Sequence, residues 1–335
     1  MDLFTCGEGA LVPLLPRMKE LFGIPRTPLD GEDDMEDIPQ PSMNWGHKLR
    51  GFRDEFGDPD ERSPAYHDLD MYLGSMDMDV KEKVASTETA FQRFDVYDLM
   101  DPKSMNFDSY QKSLSSDGTY ESTHPEQFAP DRVLFLDGVI QSTLVGDASY
   151  HESIVHPALI THDNPKRVSI IGGGEGATLR EVLKHSTVEE AVMIEIDAGV
   201  VELSKEHLPQ WQDCSSIAHH EGAAEWCFDD ERVTARFEDA LAYFIDNFYQ
   251  YEGDEKLYDI IIMDALDPND DIPFAKILYT SDVYIRSLYN ALTQDGILVA
   301  QVGEVPDYSN PADEVGSFAN RAIMKAKLEE VGFKR

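Results

Sequence analysis

The stretch "VSIIGGGEGATLREVL" (168–183) reads as a short apolar strand, a glycine-rich turn and the first turns of an amphipathic helix. A turn of this kind usually cradles part of a nucleotide, because glycines admit a ligand close to the backbone and the helix N-terminus faces it. The glycines fit two spellings. Gly172, Gly174 and Ala177 satisfy G-x-G-x-x-A, a dinucleotide pattern, while Gly172, Gly174 and Gly176 satisfy G-x-G-x-G, which suits S-adenosylmethionine-type ligands. Glu175 inside the turn is more informative: a carboxylate repels a pyrophosphate and attracts a sulfonium or an amine. Its other reading is a cap on the helix N-terminus.

Working outward, "EAVMIEI", "RVTARF", "YDIIIMD" and "GILVAQ" continue the strand series, and "TLREVLKH", "AGVVELSKEHL", "ALAYFIDNFY" and "SDVYIRSLYNAL" are amphipathic helices between them. Short, nearly all-apolar strands with helical crossovers predict an α/β fold built on a doubly wound parallel sheet. Before it, "TAFQRFDVYDL" (89–99) and "RVLFLDGVIQSTL" (132–144) predict a small antiparallel β-domain, with a tight turn at Asp137-Gly138. The polar run 100–131 between these strands is expected to be a surface insertion.

Ligands of doubly wound sheets lie outside the carboxyl ends of the strands. Glu195, in "EID", follows Gly172 by 23 residues (195 − 172), near the spacing at which an acid meets ribose hydroxyls. Asp239, after the third strand, is placed to accept from an adenine amine. Asp264 and Asp267, in "MDALDP", bracket a turn whose exit Pro268 fixes. Opposite Glu175 these two acids make three carboxylates around one nucleoside site, which cannot all be buried and ionised without a compensating cation. Either they are solvated at an open rim, or the cation is the substrate. Mg²⁺ is another candidate, though it usually arrives with phosphates, and a di- or triamine suits a string of carboxylates with no metal. The matching chemistry is alkyl transfer from a sulfonium to an amine. An aliphatic amine titrates near ~10.4 and must lose a proton to attack. Asp264, fixed by a buried strand, is the natural base, and Asp267 is better placed to hold substrate.

The chain of 335 residues is long enough for one large and one smaller domain, and 41% hydrophobic content supports a core. A net charge of −37 argues against nucleic-acid partners and anionic membrane surfaces and favours a cationic small molecule. Residues 27–75 read as an acidic linker. Three cysteines, odd in number and irregularly spaced, argue against a disulfide framework, and no C-x-x-C pair suggests zinc. Without a signal-like N-terminus or a long apolar run, the chain reads as soluble and cytoplasmic.

From about Glu88 to Gln301 the chain resembles the polyamine aminopropyltransferases, the spermidine and thermospermine synthase family. The resemblance rests on "FQRFDVYD", "VLFLDGVIQ", "ASYHESIVHPALITH", "NPKRVSIIGGGEGATLREVLKH", "VMIEIDAGVVELSKEHLP", "FDDERV", "YDIIIMDALDP" and "LYTSDVY". It implies a Rossmann-like, AdoMet-methyltransferase-type sheet over 149–335 preceded by an antiparallel domain over 76–148. It implies transfer of an aminopropyl group from decarboxylated S-adenosylmethionine, a co-substrate rather than a resident cofactor, to putrescine or spermidine, with release of methylthioadenosine. By the same resemblance Gln92 contacts the donor, Tyr150 and His151 line the polyamine side and Glu175 holds an amino group. Glu195 binds ribose, Asp239 and Ala240 bind adenine, and Asp264 accepts the proton. Asp264 to Asp267 form the polyamine turn, followed by a gatekeeping loop to about Tyr279. Relatives assemble as dimers or tetramers, so a homo-oligomer is expected. They also continue beyond "LEEVGFKR", so a C-terminally truncated chain is expected. Residues 1–26 resemble the tail of an S-adenosylmethionine decarboxylase around "FTCG". Cys6 then matches its catalytic cysteine or is an inert thiol, and no decarboxylase activity is expected. The alternatives are an AdoMet-dependent methyltransferase, which would need a partner for the donor carboxylate where Glu175 stands, and a non-catalytic paralogue.

Overall fold

The computed structural model describes residues 3–4, 79–100, 123, 130–217, 224–268, 273–303 and 319–334. The acidic linker, Cys6 and nearly all of the 100–131 insertion lie outside these residues. The chain divides into two compact units, Met1–Ile24 with Ser149–Arg335, and Pro25–Ala148.

The smaller unit is a four-stranded antiparallel sheet in sequential order, β1 to β4: Asp79–Glu88, Arg93–Met100, Asp131–Leu136 and Val139–Thr143. Phe94, Val96, Leu99, Val133, Leu134 and Phe135 are buried. Asp98 takes a two-pronged hydrogen bond from Arg132 at 2.7 and 2.9 Å, fixing the β2–β3 register. The expected tight turn is present: Asp137 (φ 50°) and Gly138 (φ 79°) are both left-handed, the geometry that twists a two-residue hairpin correctly. Two boundaries differ from the sequence expectation. Strand β2 starts only at Arg93, because Thr89 closes a turn with Gln92 instead. The polar strand β1, "DVKEKVASTE", carries no apolar alternation strong enough to read as a strand.

The larger unit alternates as expected. Its strands are β5 Arg167–Gly172, β6 Glu190–Glu195, β7 Val233–Phe237, β8 Tyr258–Asp264 and β9 Leu292–Ala300. They pair in parallel in the order β9-β8-β5-β6-β7, and the two residues Leu3–Phe4 pair antiparallel with β9. The helices are α1 Asp147–Thr161, α2 Ala177–Leu183, α3 Ala198–His207, α4 Ala240–Phe248, α5 Pro273–Thr280, α6 Asp282–Asn290 and α7 Ala319–Val331. Both faces of the sheet are apolar. Ile171, Ile194, Ile261, Met263 and Leu298 face a core with α4, α6 and α7, while Ile170, Met193, Ile260, Ile262 and Val299 face another with α1 and α2. β5 sits between β6 and β8, so the chain reverses direction across the sheet there. This switch point is where the carboxyl ends open a crevice.

Two expectations are corrected here. Cys214 and Cys227 form a disulfide, with Cα atoms 5.1 Å apart. An antiparallel bridge between Asp213 and Trp226 brings the two segments together, with Cys214 N–H donating to Glu225 O and Cys227 N–H to Gln212 O. Irregular spacing in the chain conceals such a tertiary pairing. Of the segment expected to be a gatekeeping loop to about Tyr279, residues 269–272 lie outside the described residues, and from Pro273 onward it is helix α5 rather than loop, with Ala275, Leu278 and Tyr279 buried. Among the described residues no helix is long and apolar enough to cross a membrane.

Candidate active site

The crevice at the switch point is built by three elements of the larger unit: the end of β8, the glycine turn after β5, and the first turns of α1. Gly172 pairs with Asp264 in the β5–β8 register, so the turn leaves the sheet directly beside that carboxylate. The glycines prove to be needed by the protein itself. A Cβ at Gly173, whose φ is +73°, would sit 3.2 Å from Asp264 Oδ2. A Cβ at Gly174 would sit 3.0 Å from Glu195 Oε2 and 3.0 Å from Val200 Cγ1. The turn therefore packs its backbone against two of the acids picked out at the strand ends.

Asp264 is the centre of the cluster. Tyr150 donates to Asp264 Oδ1 at 2.7 Å, and Thr178, the second residue of α2, donates to Oδ2. Desolvation pushes the Asp264 carboxyl above the ordinary carboxylate range and the charge of Glu175 adds to this, while His151 and the two hydroxyls act in the opposite sense. Glu175 Oε1 lies 3.1 Å from Nε2 of His151, a ring that is 1% exposed. Ligand atoms of His151, Glu175 and Asp264 all fall within 4.8 Å of one another, an arrangement able to hold a cation. Among the described residues no Lys or Arg pairs with Glu175 or Asp264. The capping role considered for Glu175 is not realised. Gly176, in the left-handed region at φ 94°, is the N-cap of α2 and offers no side chain, while Glu175 turns to His151.

The outer acids follow at the same sheet edge. Glu195 ends β6, and its Oε1 accepts from Asp197 N–H at 2.9 Å. Burial, then the charges of Glu175 and Asp197, push it up to about 7. Asp239 is the N-cap of α4, accepting from Leu241 N–H at 2.7 Å and from Ala242 N–H, and Ala240 begins that helix. One Asp239 oxygen is thus committed to the helix, and burial raises its pKa. Asp267 accepts from the amide of Gln301, which follows β9. The hydroxyl of Tyr279 lies 2.7 Å from Leu266 O and 2.9 Å from Gln301 O, tying the 264–268 turn to α5 and the end of β9. Burial and the charge of Asp267 hold the Tyr279 phenol well above its ordinary range.

The structure thus brings Tyr150, His151, Glu175 and Asp264 into mutual reach and adds Thr178, which the sequence did not single out. A β-branched polar residue early in a helix carries no signal of its own; only the β5–β8 register reveals it. Gln92 belongs to the antiparallel unit, where its N–H donates to Thr89 Oγ1.

Residues 147–313 match the family model described as the spermine/spermidine synthase domain. The chain belongs to this family through its parallel-sheet unit. Over 173 residues it is 48% identical to a polyamine aminopropyltransferase of Pyrobaculum calidifontis, covering 51% of this chain and 53% of the relative. It is 34% identical over 231 residues to the polyamine aminopropyltransferase of Thermococcus onnurineus, covering 69% of this chain and 64% of the relative. The chain spans about half to two-thirds of the length of these relatives. Among solved structures, a spermidine synthase in complex with the transition-state analogue AdoDATO superposes with a TM-score of 0.53 at 27% identity, covering 76% of this chain and 66% of that one. Spermidine synthase from Thermotoga maritima gives 0.50 at 26% identity, covering 76% and 65%. A spermine/spermidine synthase domain thus carries the acid cluster at its sheet switch point.

Proposed function

We propose that the chain is an aminopropyltransferase that moves the aminopropyl group of decarboxylated S-adenosylmethionine to putrescine or spermidine. The observation that carries this reading is the state of Asp264: a carboxylate at the end of a buried strand, hydrogen-bonded by two hydroxyls, beside a second carboxylate and, among the described residues, without a Lys or Arg partner. Such a group favours the arrival of a cation and can take a proton from it.

In the proposed reaction Asp264 takes a proton from the attacking ammonium and frees the nitrogen lone pair. The nitrogen then attacks the methylene carbon next to sulfur. The C–S bond breaks with its electron pair going to sulfur, and neutral methylthioadenosine leaves. The product nitrogen keeps its remaining two protons as a secondary ammonium, so one proton is released per turnover. Glu175, steadied by His151, holds an amino group, and Asp267 holds the far end of the acceptor. Glu195 accepts from the ribose hydroxyls, and Asp239 and Ala240 face the adenine. Because one Asp239 oxygen caps α4, only the other is left for the base. The glycine turn positions these acids rather than cradling a phosphate.

The test is to mix the purified full chain with decarboxylated S-adenosylmethionine and each polyamine and to follow methylthioadenosine by chromatography. Methylthioadenosine together with a lengthened polyamine is expected. Methyl transfer from S-adenosylmethionine, with no aminopropyl product, would replace this reading with that of a methyltransferase of the same fold.

A further inference from the structure

Asp264 is held by two hydroxyls of different kinds. Tyr150 is 39% exposed and sits near the start of α1, whereas Thr178 is 0% exposed and sits inside the unit on α2. A threonine within a helix commonly turns its hydroxyl back to a carbonyl of the preceding turn. Thr178 instead reaches across to Oδ2 of Asp264, 86 residues away in sequence. The same oxygen lies against the Gly173 backbone, where a Cβ would be 3.2 Å from it and 3.6 Å from the Thr178 Cβ. A β-branched side chain in a helix has few rotamers, so this hydroxyl is aimed before any ligand arrives. A carboxylate is otherwise free to turn over a broad range about its last torsion. With one bond to each oxygen, its plane is fixed and each oxygen keeps a further lone-pair direction open.

We propose that Thr178 is a positioning residue for the proton acceptor: it fixes the plane of the Asp264 carboxylate and holds it in the ionised form that accepts a proton from the polyamine. This rests on the reading of Asp264 as the base. The other groups that act on this carboxyl are Glu175 on the turn, His151 and Tyr150 on α1, and Tyr279 on α5. Glu175 disfavours ionisation, while Tyr150 and Thr178 favour it by donating to the charged form. Thr178 is the donor that substrate entry cannot displace, because it is fully buried.

The experiment measures kcat against pH for the full chain carrying Thr178→Val, Thr178→Ala or Thr178→Ser, with decarboxylated S-adenosylmethionine and the better polyamine. Losing a hydrogen bond to a charged group is expected to lower kcat roughly tenfold in the Val and Ala variants. Their acid-side limb should move to higher pH, because the ionised form has lost a donor, and KM should stay near the parent value. Serine should restore both the rate and the limb. A limb that stays in place in Val and Ala overturns the proposal, as does a serine variant that behaves like alanine. If Val is poorly folded by thermal melting, Ala and Ser decide it alone. Asp264→Asn, run in parallel, separates the two ideas. Residual turnover near the parent level removes Asp264 as the base, whereas a dead Asn variant beside an unshifted Thr178→Ala limb removes only the role of Thr178.

Discussion

Two carboxylates are packed against α2, Glu181 on the helix itself and Asp264 reaching it from the end of β8, and they are treated in opposite ways. Glu181, 0% exposed, accepts from Arg180 Nε at 2.9 Å and Lys184 Nζ at 2.7 Å, and its other oxygen lies 3.3 Å from Nε2 of His156. His156 in turn meets His185 at 2.9 Å. Asp264, packed against the other end of the same helix, has only hydroxyls as hydrogen-bond partners among the described residues, and the charged groups that act on it there are Glu175 and His151. A carboxylate that brings its own cations is a piece of the scaffold, since its charge is already met. One that is desolvated beside another acid, with no Lys or Arg, is incomplete until a cation binds. Negative charge over the whole chain does not distinguish them; the partner set does.

The contrast is sharpest if both sites are altered. Asp264→Asn should lower kcat by about 10²–10⁴-fold while donor binding survives, since it removes a proton acceptor and little volume. It should also stabilise the fold at neutral pH. The folded-state pKa of Asp264 is raised, so its ionisation weakens the fold increasingly as pH climbs from the ordinary carboxyl value through the raised one. The gain of the Asn variant, followed by urea unfolding, should therefore vanish near pH 4 and grow above it. Glu181→Ala should do the reverse. Leaving Arg180 buried without its carboxylate is expected to cost about 3 kcal/mol or more of stability, with the KM values of the folded fraction near normal. An Asp264→Asn variant less stable than the parent at pH 7 would break the comparison.

The layout of the sheet was legible because five apolar strands and four amphipathic helices repeat without interruption, and because the end of each strand names a small set of residues. Glu195, Asp239, Asp264 and Asp267 were found that way. What stayed hidden depends on proximity across the fold. The Thr178–Asp264 bond follows from the β5–β8 register, the disulfide from a bridge between Asp213 and Trp226, and the Asp267–Gln301 contact from the neighbouring ends of β8 and β9. Helix α1 was not read from the sequence, since Pro157 and its many polar residues blur the helical period. The glycines were read as room for a ligand, yet Gly173 and Gly174 first make room for Asp264 and Glu195.

Glu195 lies between the two extremes, and its pH behaviour sharpens where the boundary runs. It is buried, bonded by one backbone N–H, and pushed up to about 7. A cationic donor whose ribose hydroxyls donate to it favours the charged form, so below pH 7 binding must first expel a proton. Donor affinity, measured by calorimetry, is expected to rise about tenfold per pH unit approaching 7 from below and then level off. Glu195→Gln should flatten that rise. A profile equally steep in the Gln variant would assign the titration to another group.

The smallest effect is expected at Asp267. Its side chain is partly exposed, and the Gln301 amide already donates to one of its oxygens. An ammonium of the acceptor would then meet a half-occupied, water-screened carboxylate, an interaction in the range of exposed ion pairs. Asp267→Asn should therefore raise the acceptor KM only roughly two- to fivefold and leave kcat unchanged. The comparison with Asp264 makes this informative, because both acids border the same turn and differ in their partners, two hydroxyls and a neighbouring carboxylate for Asp264 against one side-chain amide for Asp267. A longer acceptor that reaches Asp267 should feel the change more than a short one. If kcat fell as far as in Asp264→Asn, the partner set would not be what separates a proton acceptor from a tether, and the role given to Asp264 would have to be shared between the two.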